Sequence, residues 1–599
     1  MNRSGLTKGI IMRRAVLGSV CVVVCVILLA LRGAPRPLLQ ESSDGPVAEF
    51  GAPAALAPEA PSTIGEPVAV TVYLEASGGF DPLAPGLNDS FAAIAPGSML
   101  PPDTHGAVGP NHLLVTLNDR VRVQDRSGTE LSTVTLRGFW APLGLTDVFD
   151  PKAIYDPHSD RFMVVACAQR RSAASSMAFA ISATSDPTGD WYMWQFDGDS
   201  ADLNWVDYPN IGFTEDKITF TSNMFNSSNA FQGVNVWVVD KSTALDGGDV
   251  TVNLFFLTGV GGVIVPAATF DTGVTTHWLV NRSIPNMIGM GWLKLFSVTG
   301  SASSPSVTVV ATSPYSAGWA AAMPDAPQLG TTSKIEVNDD RIINAIYRNG
   351  SLWCTQAVGL SKDAPTYTAV KWWEINPATQ TVIQSGFVDN YASSGMFYHF
   401  PSIAVNKDDE VLLGFSGSSS STYVGGYYTY RSASTALNTM ETVSQYKAGQ
   451  GPYGGSRYGD YSATMVDPVD DTSMWTIQEY AEVSGQWGTW WGKYGTASVP
   501  SDTTPPRVAS ASALSTTSVR VSFNEDMLNN AALTTAGNYT FTGPGATVTA
   551  SSVTRVNATT VDVTVSEMTN SATYTVAVST SGPTDAAGNT MDPSANTAS

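Results

Sequence analysis

The chain has 599 residues, a net charge of −21, 43% apolar residues and only 14% charged ones. That length is too great for one hydrophobic core. The acidic balance argues against a nucleic-acid binder, which needs a basic footprint. The shortfall in charge is filled by 53 glycines together with Ser, Thr and Asn, the composition of a turn-rich, extracellular all-β protein.

At the N-terminus, Arg3, Lys8, Arg13 and Arg14 precede an unbroken apolar run, Ala15–Leu31. A positive segment followed by an apolar core marks export. Residues 1–33 are therefore read as a signal peptide. The alternative is an N-terminal membrane anchor, because Arg32 spoils the cleavage site offered by Ala30, Gly33 and Ala34, although the run is at the short limit for a span. Residues 34–67, rich in Pro, Ala, Glu and Ser and without periodicity, read as a flexible stalk. Beyond the export segment the only cysteines are Cys167 and Cys354, far apart in sequence and expected as two buried thiols.

From Val68 onward the chain reads as strands separated by Gly, Asn, Asp and Ser turns. A repeat phases them. Its copies begin DTHGAV at Asp103, DPKAIY at Asp150, DYPNIG at Asp207, IVPAAT at Ile264, DAPQLG at Asp325, HFPSIA at His399 and DYSATM at Asp460. Each is followed by a second apolar strand, such as RFMVVAC, KITFTSN, RIINAIY or SMWTIQE, and most by a third and fourth. Seven units of three to four strands predict a seven-bladed β-propeller over residues 68–497, in which stacking buries the two apolar faces of each blade. Val68–Leu74 is placed to close the ring beside TWWGKY. Residues 498–506 (VPSDTTPP in its core) form a linker, and residues 507–599 have the size and turn spacing of an Ig-like β-sandwich.

Two resemblances add to this reading. Pro505–Pro506, SFNEDM at Ser522–Met527, TYTVAV at Thr573–Val578 and DAAGN at Asp585–Asn589 resemble the bacterial Ig-like domains of surface-layer proteins. That resemblance implies extracellular display and spacing, not catalysis. PPDTHGAVGPNHLLVTLN (101–118), FDPKAIYDPHSDRFMVV (149–165), DYPNIG (207–212) and RYGDYSATMVDP (457–468) resemble a class of secreted bacterial propellers to which no defined activity attaches.

Aligning the repeats puts Asp103, Asp150, Asp207, Asp325 and Asp460 in one column, with His399 and Ile264 in the remaining places. In a closed ring these residues converge at one mouth. Carboxylates there offer oxygen ligands for Ca²⁺ or hydrogen-bond partners for a polyol. An Asp that opens every blade also caps backbone N–H groups, and repetition in every unit favours that structural role. The Asp-rich turns NKDDE (406–410) and DPVDDT (467–472) lack EF-hand spacing and read as hairpin turns. His105, His112 and His158 read as turn or packing residues. Trp191, Tyr192, Trp194, Trp372, Trp373, Tyr427, Tyr428, Trp487, Trp490 and Trp491 read as filling between blades rather than as sugar platforms. GxSxG, HExxH and P-loop patterns are absent. A sialidase-like site would need an arginine cluster with a Tyr/Glu pair; Arg120, Arg161, Arg341, Arg457, Glu479 and Tyr480 permit it without demanding it.

The expected function is a secreted or cell-surface binding protein, of the adhesion type, that presents the propeller to a glycan, a matrix component or a surface protein. Nucleic acid is not an expected partner, and the membrane is reached only through the N-terminal anchor. A secreted polysaccharide hydrolase or lyase and a structural cell-envelope component are the competing readings.

Overall fold

Period-two alternation of apolar side chains, punctuated by Asx turns, drives the chain into short antiparallel strands with two buried faces. The computed structural model describes residues 10–11, 87–97, 99–282, 290–291, 293–311, 315–316, 318–455, 457–495, 505–525, 527–528, 531–557, 559–585 and 589–599. The export segment apart from Ile10–Ile11, the stalk and the expected closing strand Val68–Leu74 lie outside the described residues. Among those described, no helix is long and apolar enough to cross a membrane.

Residues up to Gly495 form one compact unit and residues from Thr496 another. The first unit is built from antiparallel sheets numbered here in chain order. Sheet 1 comprises His105–Val108, His112–Thr116, Arg120–Asp125 and Glu130–Thr135. Sheet 2 comprises Val148–Asp156, Arg161–Ala168, Ser176–Ser182 and Trp191–Asp197, with Ile10–Ile11 on its outer edge. Sheet 3 runs Asn204–Phe213, Lys217–Asn226, Phe231–Asp240, Val252–Leu257, and sheet 4 Val265–Pro266, His277–Asn281, Lys294–Ser301, Ser304–Ala311. Sheet 5 runs Ile342–Arg348, Ser351–Leu360, Tyr367–Asn376, Thr381–Val388, and sheet 6 Phe397–Val405, Val411–Ser419, Thr422–Arg431, Ser444–Lys447. Sheet 7 has Ala463–Val466, Met474–Ala481 and Trp487–Tyr494. Its fourth strand is Asp89–Ile94, from the other end of the unit. The first strand of each sheet packs against the first strand of the next, and that of sheet 7 packs against that of sheet 1. The protein is thus all-β and propeller-like.

Large aromatics fill the space between sheets. Phe179 stacks on Trp194 and on Phe220, and Phe220 stacks on Trp237. Of the aromatics singled out in the sequence, Trp194, Trp372, Trp373, Trp487 and Trp491 are fully buried. Each is worth about 2–3 kcal/mol relative to exposure. Cys167 and Cys354 are buried free thiols.

Side chains of the first strands fasten neighbouring sheets together. His105 Nδ1 lies 2.9 Å from the Ala153 carbonyl, and Lys152 Nζ donates to Asn210 Oδ1 at 2.6 Å. Asn344 both accepts from the Ile403 N–H and donates to its carbonyl, at 3.0 and 2.8 Å. Ser402 meets Ser462 and Thr464 at 2.9 and 2.7 Å. His158 reaches the Thr269 carbonyl at 2.9 Å, and His112 lies 3.7 Å from Asp186. NKDDE and DPVDDT are Asx turns, in which Asn406 Oδ1 accepts from the Asp408 and Glu410 N–H groups and Asp467 Oδ1 from that of Val469.

Sheet 5 corrects the repeat alignment. RIINAIY is its first strand and not its second, SLWCTQ is the second, and VKWWEI lies in the third. DAPQLG instead belongs to a long connector that folds back on itself through an Ala326–Ile335 bridge. The widest gap between repeat copies, 74 residues from Asp325 to His399, contains this displacement.

The second unit places Val508–Ser515, Ser518–Phe523, Thr560–Val565 and Ala550–Asn557 in one sheet and Tyr539–Thr542, Thr575–Val578 and Thr597–Ala598 in another. Val521, Phe541, Val563, Val576 and Val578 share its core. Asp585 accepts from the Asn589 backbone and side chain at 2.7 and 2.8 Å.

Candidate functional site

The first strands line a cavity of about 90 Å³ whose walls are mostly apolar, with His105, Lys152 and Asn210 at one end and Phe213, Phe270 and Arg348 toward the other. Above the His105 end, the residues that open the strands come together.

In sheets 2, 3 and 6 the pairing of the first strand skips at Phe149/Lys152, Asp207/Asn210 and His399/Ser402. Within each skip one residue takes a left-handed backbone: Asp150 (φ 54°), Tyr208 (φ 55°) and Phe400 (φ 50°), each followed by Pro. Asp103 (φ 52°) and Val263 (φ 57°) adopt the same conformation. The structural column therefore runs Asp103, Asp150, Tyr208, Val263, Phe400. Asp207 and His399 stand one place before it and Ile264 one place after it, so aligned sequence positions do not share one backbone position at the mouth. Left-handed φ at Tyr or Phe is costly and persists only where the surroundings over-determine it.

Four of the six expected mouth residues converge: Asp103, Asp150, Asp207 and Asp460. Asn118 bridges the first two. It donates to Asp103 Oδ2 at 2.6 Å and accepts from the Asp150 N–H at 2.7 Å. Asp150 Oδ2 accepts from the Tyr208 N–H at 3.3 Å. Asp460 Oδ1 accepts from Asn338 Nδ2 at 2.9 Å and from Arg457. Glu479 joins them, its Oε1 accepting from the Thr104 hydroxyl at 2.7 Å and its N–H at 3.3 Å. Asp103 Oδ1 and Glu479 Oε2 are buried without a hydrogen-bond partner. Three cations interleave. Lys152 Nζ lies 4.6 Å from the Tyr208 ring centroid and 4.3 Å from that of Tyr461. Arg341 covers Tyr208 at 4.1 Å while chelating Asp339 at 2.7 Å. Arg457 pairs with Glu336 at 3.2 Å and with Asp460.

The other two expected residues stand apart. Asp325 is exposed on the connector, away from the cluster. His399 is fully buried against Phe400 and Tyr458, and burial pulls its imidazole down to about 3. Among the described residues no group of three or more His, Cys, Asp or Glu side chains has metal-site spacing.

Crowding of like charge away from water sets the electrostatics. Burial, then Asp460, Asp150 and Glu479, hold the Asp103 carboxyl well above its ordinary range. Burial, then Asp207 and Asp460, push Asp150 up to about 8. Burial pushes Glu479 up to about 8 against the pull of the Thr104 hydrogen bonds. Asp207 rises to about 6 through burial, with Arg341 pulling the other way. Burial brings Lys152 down to about 7, resisted by Asp150.

Two long connectors roof the mouth, residues 318–341 before sheet 5 and residues 448–455 with 457–462 before sheet 7. Gln328 fastens them by accepting from the Tyr453 N–H at 2.7 Å and donating to its carbonyl at 2.9 Å. Asn338–Asp460 and Glu336–Arg457 complete the seam. Asn118, Asn338 and Lys152 were missed in the sequence because they lie outside the repeat column. The Asn-Asp pairs at Asn118–Asp119 and Asn338–Asp339 were the available signal.

Fold and mouth together define a β-propeller. No family model and no curated protein matches the sequence. Solved structures similar to it include a Trypanosoma rangeli sialidase mutant with trans-sialidase activity (11% identity, TM-score 0.30, covering 63% of this chain and 57% of that one). They also include a Dyadobacter fermentans protein of unknown function (11%, TM-score 0.34, covering 58% and 94%) and the WD40 domain of SCAP from fission yeast (10%, TM-score 0.31, covering 74% and 95%). This chain thus covers little more than half of the sialidase.

Proposed function

We propose that this is an exported seven-bladed propeller with a C-terminal Ig-like domain, which binds a glycan on a matrix or surface partner at the propeller mouth without cleaving it. The closed succession of first strands supports the blade count, and the two-sheet tail with its shared core supports the Ig-like assignment. The N-terminal apolar run supports export to the cell surface or beyond.

The observation that carries the binding reading is the accessibility of the acids. Asp103, Asp150, Asp460 and Glu479 are buried, and Asp207 alone of the five is partly open. The other accessible acids at the rim, Glu336 and Asp339, are held by Arg457 and Arg341. The common route of glycoside hydrolysis uses two carboxylates that both reach the scissile bond, and the sialidase-like alternative would need a free Tyr and arginines, whereas here Tyr480 is buried and Arg341 and Arg457 are paired; gripping a hydroxylated ligand requires one open carboxylate.

The test is a glycan array run with and without chelator, followed by turnover assays on every hit. Binding without product formation supports the reading, and chelator sensitivity would add calcium as a partner of the mouth. Product formation that is lost in Asp207→Asn would replace the binding reading with a hydrolase.

A further inference from the structure

The cavity beneath the mouth has the makings of a second site. All seven first strands contribute to its mostly apolar wall. Ile154, Phe270, Ile346 and Met465, toward the Arg348 end, are only partly buried, so the channel opens there. The other end is closed: His105, Lys152 and Asn210 are 8%, 3% and 2% exposed.

That closed end offers donors without acceptors. Lys152 Nζ donates to Asn210 Oδ1 at 2.6 Å, which fixes the orientation of the amide. Asn210 Nδ2 is then left buried with no hydrogen-bond partner, at the cost of its desolvation. Lys152 makes no ion pair among the described residues, and the rings of Tyr208 and Tyr461 flank its ammonium. At pH 6 Lys152 carries its proton, while Asp150 and Asp103 keep theirs and are neutral. Asp460 is occupied by Arg457 and Asn338. At the open end Arg348 pairs with both Asp271 and Asp471, and its buried Nη1 has no hydrogen-bond partner.

These features narrow the ligand. Amide and ammonium both donate, so the head group must accept, and an amine would bring donors to donors. Lys152 has no counter-ion, so the head group is anionic. The wall is apolar, so the body is too. Arg348 with its two carboxylates is net negative and disfavours a second acid group on the ligand. The channel measures about 90 Å³. At roughly 10–15 Å³ for each water-sized occupant, it takes on the order of six to nine non-hydrogen atoms.

We propose that the axial channel binds a short-chain monocarboxylate, with its carboxylate on Lys152 Nζ and Asn210 Nδ2 and its apolar body along the wall toward the Arg348 opening. The site is separate from the mouth and independent of the glycan reading.

The experiment is methyl NMR on the full chain with labelled isoleucines at pH 6, titrated with hexanoate and with hexanamide, its neutral isostere. The methyls of Ile154 and Ile346, which line the channel, are expected to shift and saturate, while that of Ile383, exposed on the outer strand of sheet 5, stays in place. Hexanoate is expected to bind at least about tenfold tighter than hexanamide, the scale of one charge-assisted hydrogen bond. Lys152→Met keeps an apolar stem without the charge and should erase that preference. Should this variant fail to fold, the comparison of the two probes on the unaltered chain still decides. Equal affinity for both probes overturns the proposal, as do the absence of channel shifts at millimolar probe, shifts at Ile383 as large as those in the channel, and a preference retained in Lys152→Met. A crystal structure grown with hexanoate that shows only ordered water between Lys152 and Arg348 overturns it as well.

Discussion

Replacing Glu479 by Gln tests the reading of the mouth as a cavity in which crowded, buried carboxyls are held protonated. Glu479 is 3% exposed, is bonded on one oxygen by Thr104 and is orphaned on the other. Burial raises its folded pKa to about 8 from an ordinary 4.5. The unfolded chain then gives up this proton near pH 4.5 while the folded one retains it. Between those values the folded state binds more protons, so stability falls as pH rises. At about 1.4 kcal/mol per pKa unit the ceiling is roughly 4 kcal/mol between pH 5 and pH 8. At about 2 cal/mol/K per residue, a unit of some 400 residues converts this to a melting temperature up to about 5 °C lower at pH 8. Gln keeps an acceptor for Thr104 and offers N–H donors where the orphaned oxygen stood. The variant should therefore lose most of that pH slope and melt higher than the parent at pH 8, with little difference at pH 5. Differential scanning calorimetry on the full chain from pH 5 to 9 reads both. A variant that keeps the parent's slope, or that loses the same stability at every pH, refutes the argument.

Gln328→Ala removes both bonds to the Tyr453 backbone. It should cost about 1–3 kcal/mol locally, seen as faster hydrogen exchange in residues 448–462 with the sheets still protected. Asn118→Ala strands the Asp150 N–H and one Asp103 oxygen, and should lower stability by about 2–4 kcal/mol on the same bookkeeping, measured by thermal melting. In Gly414→Ala the new methyl would sit 2.0 Å from Thr476 Oγ1 and 2.8 Å from Thr464 Oγ1 and Gln478 Nε2, all in the crowded centre of sheets 6 and 7. Overpacking of this kind costs about 1–3 kcal/mol or more, and reduced soluble yield with a lowered melting temperature is expected.

Much of the architecture was legible because strands with two apolar faces leave a strong repeat. The phasing failed at one sheet. DAPQLG looks like a strand opener, yet it lies in a connector paired to itself, among the described residues, by the single bridge Ala326–Ile335, a tertiary feature with no periodicity. The closing strand was expected beside TWWGKY. Asp89–Ile94 occupies that position, weakly apolar on its outer face and therefore less conspicuous than Val68–Leu74. At the mouth, acid residues were visible as a column, but their true register was not. Pairing skips of the Asp207/Asn210 kind shift side chains by one place, and only three-dimensional pairing reveals them. The roles of Asn118 and Gln328 depend on partners 32 and 125 residues away; Asn118 left only the Asn-Asp pair as a local trace, and Gln328 left none.

The seam that closes sheet 7 also sets how the ring bears load. Asp89–Ile94 runs antiparallel to Trp487–Tyr494, with Asp89 opposite Lys493, and Asn88 donates to the Lys493 and Gly495 carbonyls at 2.8 Å each. The chain thus enters and leaves this pair of strands at the same end. Tension applied between the two ends of the protein would part the strands like a zipper, one rung at a time, instead of shearing all rungs together. The ring is fastened at the place where a pull arrives first, so the propeller would open under modest force at Asn88 while its other sheets remained intact.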